Sequence, residues 1–294
     1  MTVSPRFAPF LAALFAAAAA PLTRPAELPA QELSTAPTPS LTVLHRERGW
    51  PDTTKTFFTS RDVTYTGAAL VGTVLVSFFD KKIAHWTQQP NIQGSSSRHD
   101  VVSKLTKVNE TTLTGGAIIA YGIGRLSHSR TTADVALHTA ESTILTSVIS
   151  QIIRGPLGRA RPSVSPDDQY KFEFGKGFTH FNNRAFPSLH SATAFGAAAA
   201  LVAEIRLRNP DALWYAAPLL YAGAAVPGVT RMYLNQHWAS DVVSGAFVGT
   251  LLGSRVVHYA HTHPRTKLDR ALLGSTAAVP DGSGGVMLMV TIER

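Results

Sequence analysis

The sequence predicts an all-α protein, a bundle of long helices in one large domain. The chain has 294 residues, of which 45% are hydrophobic, and this is ample for a core. Only 16% are charged, a low share for a soluble protein that indicates extensive buried or lipid-facing helix. Apolar segments of helical length recur along the chain, and the predicted helices are Val63–Phe79, Leu113–Gly124, Val135–Ile153, Leu189–Ile205, Ala212–Val226 and Ser240–Ala260.

The first 45 residues are predicted to precede the folded domain. Residues 1–20 have the pattern of an export signal, in which Arg6 supplies the positive start of a short, alanine-rich apolar run. An uncleaved membrane anchor is the alternative, although the run is short for that role. Residues 21–45 are rich in proline and predict a flexible linker. We therefore expect an exported protein of the periplasm or cell envelope, without disulfides because the chain has no cysteine.

The folded domain is predicted to span residues 60–263. Between its first two helices, Gln88–Asp100 is polar and predicts a loop, and Ser163–Arg184 holds four phenylalanines among lysines and glycines. This second segment is either a lid over a site or an aromatic loop that packs on the body. The tail, residues 264–294, contains a predicted β-hairpin over Ala277–Ile292.

Charge and hydropathy limit the partners of the chain. Its net charge is +8, yet the basic residues form no stripe with interleaved aromatics, so nucleic acid is not expected. The uncharged runs are mostly 12 to 19 residues long, at or below the length that spans a bilayer. We therefore expect a soluble or peripheral protein rather than an integral one, in contact with a membrane surface or a phosphorylated small molecule. Basic residues between the helices would suit an integral form whose N-terminus stays inside.

Three short clusters carry the residues that can perform chemistry. In the last, Thr230–Asp241, His237 and Asp241 are four residues apart, which on a helix places them on one face. A carboxylate that holds one ring nitrogen leaves the other free to act as a nucleophile. Arg231 lies on a predicted loop after Pro227 and is able to approach the same anion. Taken alone, such a pair is more often an incidental i,i+4 contact on a surface helix.

The second cluster, Pro187–His190, precedes a long apolar helix. Ser188 is a predicted N-cap, and the free backbone N–H groups of a helix start attract anions. His190 would then lie in the first turn, where it is able to give a proton to a leaving oxygen. The alternative is that Ser188 only caps the helix and His190 packs beside it.

The first cluster, Arg154–Pro162, contains Arg154, Arg159 and Arg161 among glycines and prolines. So many helix breakers predict a loop, and guanidinium groups suit bidentate binding of phosphate. A solvated basic loop is the alternative for this cluster alone. His258, His261 and His263, near the end of the last helix, resemble a metal site only loosely, and we assign no metal ligands.

The order and spacing of the three clusters resemble the superfamily of type 2 phosphatidic acid phosphatases, bacterial class A acid phosphatases and vanadium haloperoxidases. The resemblance covers roughly residues 60–260. It implies an all-α, metal-independent phosphatase without cofactors, which passes the phosphoryl group through a phosphohistidine. In that family pattern His237 is the nucleophile, Asp241 orients it and His190 is the general acid. The implied phosphate-binding residues are Arg154, Arg161, Ser188, Leu189 and Arg231.

Three positions depart from the family pattern. Arg154 stands where the family has Lys, Leu189 where it has Gly, and Thr230 where it has Ser. A positive φ at residue 189 would strain a leucine and remodel the anion site. Two alternatives therefore stay open: a vanadate-dependent haloperoxidase, and an inactive relative that binds its ligand in the envelope.

Overall fold

The computed structural model describes residues 56–263, together with the backbone of two short strands further on. The predicted signal and linker, residues 1–45, lie outside the described residues. The helices are α1 (Ser60–Ser77), α2 (Asp80–Thr87), α3 (Pro90–Gln93), α4 (Ser96–Leu105), α5 (Glu110–Leu126), α6 (Arg130–Leu157), α7 (Leu189–Arg208), α8 (Leu213–Tyr233) and α9 (Ala239–Thr262). Single 3₁₀ turns occur at Lys176–Phe178, Phe181–Asn183 and Pro210–Ala212.

Side-chain caps determine where several of these helices begin. Asn109 caps α5 by accepting from the backbone N–H groups of Thr111 and Thr112. Ser129 caps α6 in the same way, and α6 ends at Gly158, whose φ of 59° is left-handed. These contacts satisfy N–H groups that have no partner within the helix, so they fix each helix start.

Helix α7 lies at the centre of the bundle, packed against α6, α8 and α9. Its alanine-rich sequence allows this, because small side chains on all faces let three neighbours approach. Along α9, Gly245, Gly249 and Gly253 lie against the α7 backbone, and a Cβ at Gly249 would lie 2.1 Å from the Ala192 carbonyl oxygen. The close contact of α7 and α9 therefore depends on glycine at this spacing.

Three predictions of loops were wrong, one of them in the segment Gln88–Asp100 and two at prolines. The segment predicted as a loop, Gln88–Asp100, contains α3 and the first half of α4. Helix α6 continues through Pro156 to Leu157, and α8 continues through Pro227 to Tyr233. Arg154 and Arg231 therefore lie on helices and not on the loops that the sequence predicted.

The aromatic segment 163–184 crosses the end of the bundle near α6. A bridge joins Arg159 to Phe172, and the ring of Phe178 lies against Gly155. Phe174, Phe178 and Phe181 nevertheless expose 78%, 62% and 61% of their surface. The segment is thus anchored by its backbone while most of its phenylalanine rings face outward.

The C-terminal tail contains two strands, β1 (Thr276–Pro280) and β2 (Val286–Val290), which pair antiparallel with Ala278 opposite Leu288. The predicted turn, residues 281–285, lies outside the described residues. The complete hairpin therefore stays a prediction.

Large apolar side chains cover the outer faces of several helices. Leu70 on α1, Ile119 on α5, Ile152 on α6 and Leu219 on α8 each expose 60% or more of their surface. By length and hydropathy, one helical stretch in the described residues, 210–233, is able to cross a membrane, and α1 with α2 passes the same test as one bent pair. These exposed faces exceed what scattered surface residues of a soluble protein usually show.

Candidate active site

The three sequence clusters meet at one end of the bundle. The C-terminal ends of α6 and α8 lie there beside the N-terminal ends of α7 and α9. Arg154 and Arg231, 77 positions apart, therefore both act on the imidazole of His190. A backbone hydrogen bond of 2.9 Å from Ser188 N–H to the Asp241 carbonyl joins the starts of α7 and α9. The site is therefore built on helix ends and not on loops alone.

His237 and Asp241 form the centre of this site. Both are buried, and His237 Nδ1 lies 3.5 Å from Asp241 Oδ2, just outside ordinary hydrogen-bonding distance. His237 precedes α9, because Trp238 is the N-cap and Asp241 returns to accept from the Trp238 backbone N–H at 2.8 Å. The predicted pairing is present, although a turn before the helix produces it and not a helical face.

Arg159 holds Asp241 from the other side, which settles where this arginine points. Its Nη1 donates to Asp241 Oδ1 at 2.5 Å, and its Nη2 donates to Asp80 Oδ2 at 2.8 Å. Asp80 also accepts from the backbone N–H and the hydroxyl of Ser240. All four side chains are buried, so Arg159 and Asp80 position Asp241 and do not face the pocket.

Sequence reasoning missed Asp80 as part of this network. In the sequence, Asp80 only follows the end of the predicted helix Val63–Phe79. An aspartate at the start of a helix is usually an exposed residue. Only the contact with Ser240, 160 positions away, shows that Asp80 is buried in a network. No local pattern in the sequence indicates that contact.

The start of α7 has the geometry that the sequence predicts. Ser188 is the N-cap, accepting from the Ser191 N–H at 3.4 Å, and His190 lies in the first turn. Leu189 is the first residue of the helix and is not among the residues with positive φ. The substitution of Leu for Gly therefore strains no backbone, and a backbone N–H remains available at this position.

Three arginines surround the imidazoles. Arg154 donates to the Arg184 carbonyl, and Arg161 donates to Gln236 and stacks on Phe181 at 3.9 Å. The Nε atoms of Arg154, Arg161 and Arg231 are buried and have no hydrogen-bond partner among the described residues. Buried donors without partners are rare and indicate a ligand that accepts from them.

Burial and this positive charge shift the titration of both histidines. Burial, together with the charge of Arg231, lowers the pKa of His190 to about 3. Burial lowers the pKa of His237 to about 4, although Asp241 opposes the shift. Burial also lowers the pKa of Arg154 to about 10 and that of Arg161 to about 9. Both imidazoles are thus neutral at pH 7 in the absence of an anion, and a bound anion would relieve the charge around them.

These features define a class of site: an anion pocket in which arginines and helix N-termini surround a neutral, carboxylate-oriented imidazole. Residues 135–265 match the family model described as the PAP2 superfamily. A solved structure with the same fold is described as the first transmembrane PAP2 type phosphatidylglycerolphosphate phosphatase, from Bacillus subtilis. It has a TM-score of 0.50 and 18% identity, and the match covers 71% of this chain and all of that one.

Two curated relatives match parts of the chain. A Lipid A 1-phosphatase from Porphyromonas gingivalis is 44% identical over 69 residues, which are 24% of this chain and 15% of that protein. A Lipid A 4'-phosphatase from Bacteroides thetaiotaomicron is 28% identical over 135 residues, 46% of this chain and 55% of that protein. The chain thus spans less than two thirds of either relative.

Proposed function

We propose that this chain is a lipid-phosphate phosphatase that hydrolyses a phosphomonoester or pyrophosphate through a phosphohistidine, without a metal ion. One observation carries the proposal: three buried guanidinium Nε atoms without partners lie around two imidazoles. A tetrahedral phosphate oxyanion offers the acceptors that these donors lack. The three proteins described above are named as phosphatases of lipid A or of phosphatidylglycerolphosphate. These names support a phosphorylated lipid as the substrate of this chain.

In the first step, His237 attacks phosphorus. Asp241 faces Nδ1, so the attacking nitrogen is Nε2, and the Nδ1 proton is held by the carboxylate as positive charge develops on the ring. The N–P bond forms as the bond from phosphorus to the leaving oxygen breaks. His190, protonated when the phosphate dianion enters beside it, gives its proton to that oxygen and releases the alcohol.

In the second step, water hydrolyses the phosphohistidine. His190 is now neutral and takes a proton from the attacking water, and the N–P bond breaks as the new O–P bond forms. Arg154, Arg161 and Arg231 balance the charge on the three equatorial oxygens in both steps, together with the backbone N–H groups that follow Ser188. These fixed cations supply the stabilisation that a metal ion provides in other phosphatases.

An apolar cavity beside the site fits the lipid part of such a substrate. Its volume is about 130 Å³, and Leu113, Ala194, Leu201 and Pro227 contribute to its lining. Ala194 lies one helical turn beyond His190, and Pro227 lies one turn before Arg231. An acyl chain in this cavity would place its headgroup toward the arginines. We further propose that the exported enzyme works at the cell envelope, with the exposed apolar faces in contact with lipid.

The test is phosphate release by the purified chain at 25 °C with EDTA present. The substrates are lipid A, phosphatidic acid, phosphatidylglycerolphosphate and a chromogenic phosphomonoester. We expect turnover in the wild type and a loss of at least about 1000-fold in His237→Ala. The matched control is His263→Gln, a histidine at the far end of α9, which retains activity.

Labelled substrate gives a second readout. Phosphate from the lipid headgroup should remain on the alkali-denatured wild-type chain and be absent from His237→Ala. A folded wild-type protein that turns over none of the four substrates would overturn the proposal and favour the inactive, ligand-binding relative.

A further inference from the structure

A second polar cluster lies at the opposite end of the bundle from the phosphate site. His138 on α6, Glu204 on α7 and His261 on α9 come together there, and one ligand atom from each lies within 4.8 Å of the others. Glu204 is 14 residues beyond His190 on the same helix, which corresponds to a distance of about 21 Å. The cluster is therefore separate from the catalytic residues.

We propose that His138, Glu204 and His261 form a binding site for a divalent transition-metal ion, with Zn²⁺ as the preferred ion, which ties α6, α7 and α9 together. The inference does not depend on the proposed phosphatase activity.

The three donor atoms converge on one point. His138 Nδ1 lies 2.5 Å and His261 Nε2 lies 3.0 Å from the same oxygen, Glu204 Oε1. Two imidazoles and one carboxylate are a common ligand set for zinc, with water completing a tetrahedron. Donors at about 2.1 Å from such an ion are about 3.4 Å apart, so the cluster has to open by less than about 1 Å.

A second layer of contacts orients the carboxylate. Arg208 Nε donates to Glu204 Oε2 at 2.8 Å, and Arg208 Nη2 donates to Asp134 Oδ2 at 2.9 Å. Arg208 thus engages Oε2, and Oε1 faces the two histidines. Hydrogen bonds from residues behind a metal ligand commonly orient the ligand in this way.

Burial and charge favour a cation at this point. Glu204 and His138 expose only 1% and 3% of their surface, and His261 lies partly open, which provides an entry route. Glu204 Oε1 faces both histidines, while Glu204 Oε2 and Asp134 are held by Arg208 on the other side. A carboxylate this deeply buried is stabilised by a cation or by donors close to it, and a metal ion between Oε1 and the two imidazoles meets that need.

The sequence indicated only one member of this cluster. His261 belongs to the histidine group His258, His261 and His263, which resembled a metal site loosely. The structure separates that group, because the ring of His263 stacks on Tyr259 at 4.2 Å. The partners of His261 come instead from helices 57 and 123 positions earlier in the chain, as the numbering of Glu204 and His138 shows.

The experiment is a Zn²⁺ titration of the full chain, purified without a polyhistidine tag and stripped with a chelator. We expect one equivalent of bound Zn²⁺ by mass spectrometry of the metal content. At a hundredfold excess over Kd, the Tm should rise by about 5 °C. His261→Gln, a partly exposed position that tolerates change, should weaken binding about 100-fold or more.

Two comparisons keep the result decisive. His263→Gln is the matched histidine control, and His237→Ala tests independence from the phosphate site, so both should bind Zn²⁺ as the wild type does. Co²⁺ bound in place of Zn²⁺ should give the visible spectrum of a tetrahedral site, lost in His261→Gln. Wild-type protein that binds no Zn²⁺ at micromolar concentration, or His261→Gln that binds it equally well, would overturn the proposal in favour of a protonated histidine–carboxylate cluster.

Discussion

Arg159 connects two buried carboxylates and thereby holds Asp241, the residue that we propose orients His237. Its guanidinium contacts Asp80 and Asp241, and its Nε and Nη2 also donate to the Gln169 carbonyl. A lysine has one charged nitrogen and cannot reach three acceptors on different sides. The position therefore requires arginine for geometry as well as for charge.

We predict that Arg159→Lys lowers kcat/KM by about 10- to 100-fold, because Asp241 loses its fixed orientation. Arg159→Met, which leaves both buried carboxylates without their cationic partner, should also lower the free energy of unfolding by about 3 kcal/mol. Steady-state kinetics and denaturant unfolding provide the measurements. Arg206→Lys, at an exposed position on α7, is the control. Wild-type kinetics in Arg159→Met would show that Asp241 needs no such support.

The depressed pKa of His190 leads to a prediction about acid stability. The pKa of this histidine is about 3 in the folded chain and about 6.5 when unfolded, so between these values the unfolded chain binds the extra proton. The stability that neutral, buried His190 contributes is therefore fully present above about pH 6.5 and is lost as the pH falls toward 3.

We predict that His190→Gln reduces the fall in Tm between pH 7.5 and pH 5.0, since glutamine does not titrate. Thermal unfolding of both proteins across this range is the measurement, and all other titrating groups cancel in the difference. Inorganic phosphate should also reduce the fall in the wild type, because the anion offsets the charge of Arg231 near His190. An identical pH dependence of Tm in the wild type and in His190→Gln would contradict the lowered pKa of His190.

At this scale, the sequence predicted the groups that meet but not what fixes them. Ser188 as N-cap and His190 in the first turn follow from local rules, and the structure has both. The contact of Arg159 with Asp80 joins residues 79 positions apart. Such pairings depend on how helices pack, which spacing along one chain does not encode.

Helix α9 positions the site through its glycine face. A Cβ at Gly245 would lie 2.5 Å from the Ser188 carbonyl oxygen, whereas a Cβ at Gly67 on α1 would meet nothing within 4 Å. The first substitution has to move the start of α7 relative to Asp241. The second only adds a methyl group to an open helix surface.

We predict that Gly245→Ala costs about 1 to 3 kcal/mol of unfolding free energy and lowers kcat more than it changes KM. Gly67→Ala should leave kcat unchanged and stabilise the helix by up to about 1 kcal/mol. Kinetics and unfolding of the two variants side by side make the comparison. Equal effects from both would mean that the contact of α7 with α9 does not set the catalytic geometry.

Two helices, α6 and α8, show where a local sequence rule fails. Proline normally ends a helix, and this rule predicted loops at Pro156 and Pro227. Pro156 lies in the last turn of α6, where only one more residue follows in the helix. Pro227 lies inside α8, which packs against other helices of the bundle. Tertiary packing therefore overrode a strong local signal and placed Arg154 and Arg231 on helices.

The described residues expose more apolar surface than the short uncharged runs of the sequence suggested. Uncharged runs of 12 to 19 residues predicted a soluble or peripheral protein, yet α6, α8 and α9 are 28, 21 and 24 residues long because they include polar ends. Large exposed side chains such as Val74 and Leu70 lie on the outer face of α1. Contact with acyl chains would remove this surface from water.

We predict that Leu70→Gln with Val74→Gln lowers kcat/KM on a lipid phosphate in vesicles by about tenfold or more. Each half-covered apolar side chain contributes about 1 kcal/mol to partitioning, so the two together change the partition constant by roughly 30-fold, enough for a tenfold loss of activity. Activity on a soluble chromogenic phosphomonoester should stay at the wild-type level, because both side chains are exposed and neither belongs to the proposed catalytic or phosphate-binding residues. Ser103→Gln, an exposed polar position on α4, is the control for both substrates. If the double variant loses activity on both substrates equally, the α1 face contributes to folding and not to lipid contact, whereas a selective loss on vesicles assigns it to the membrane surface.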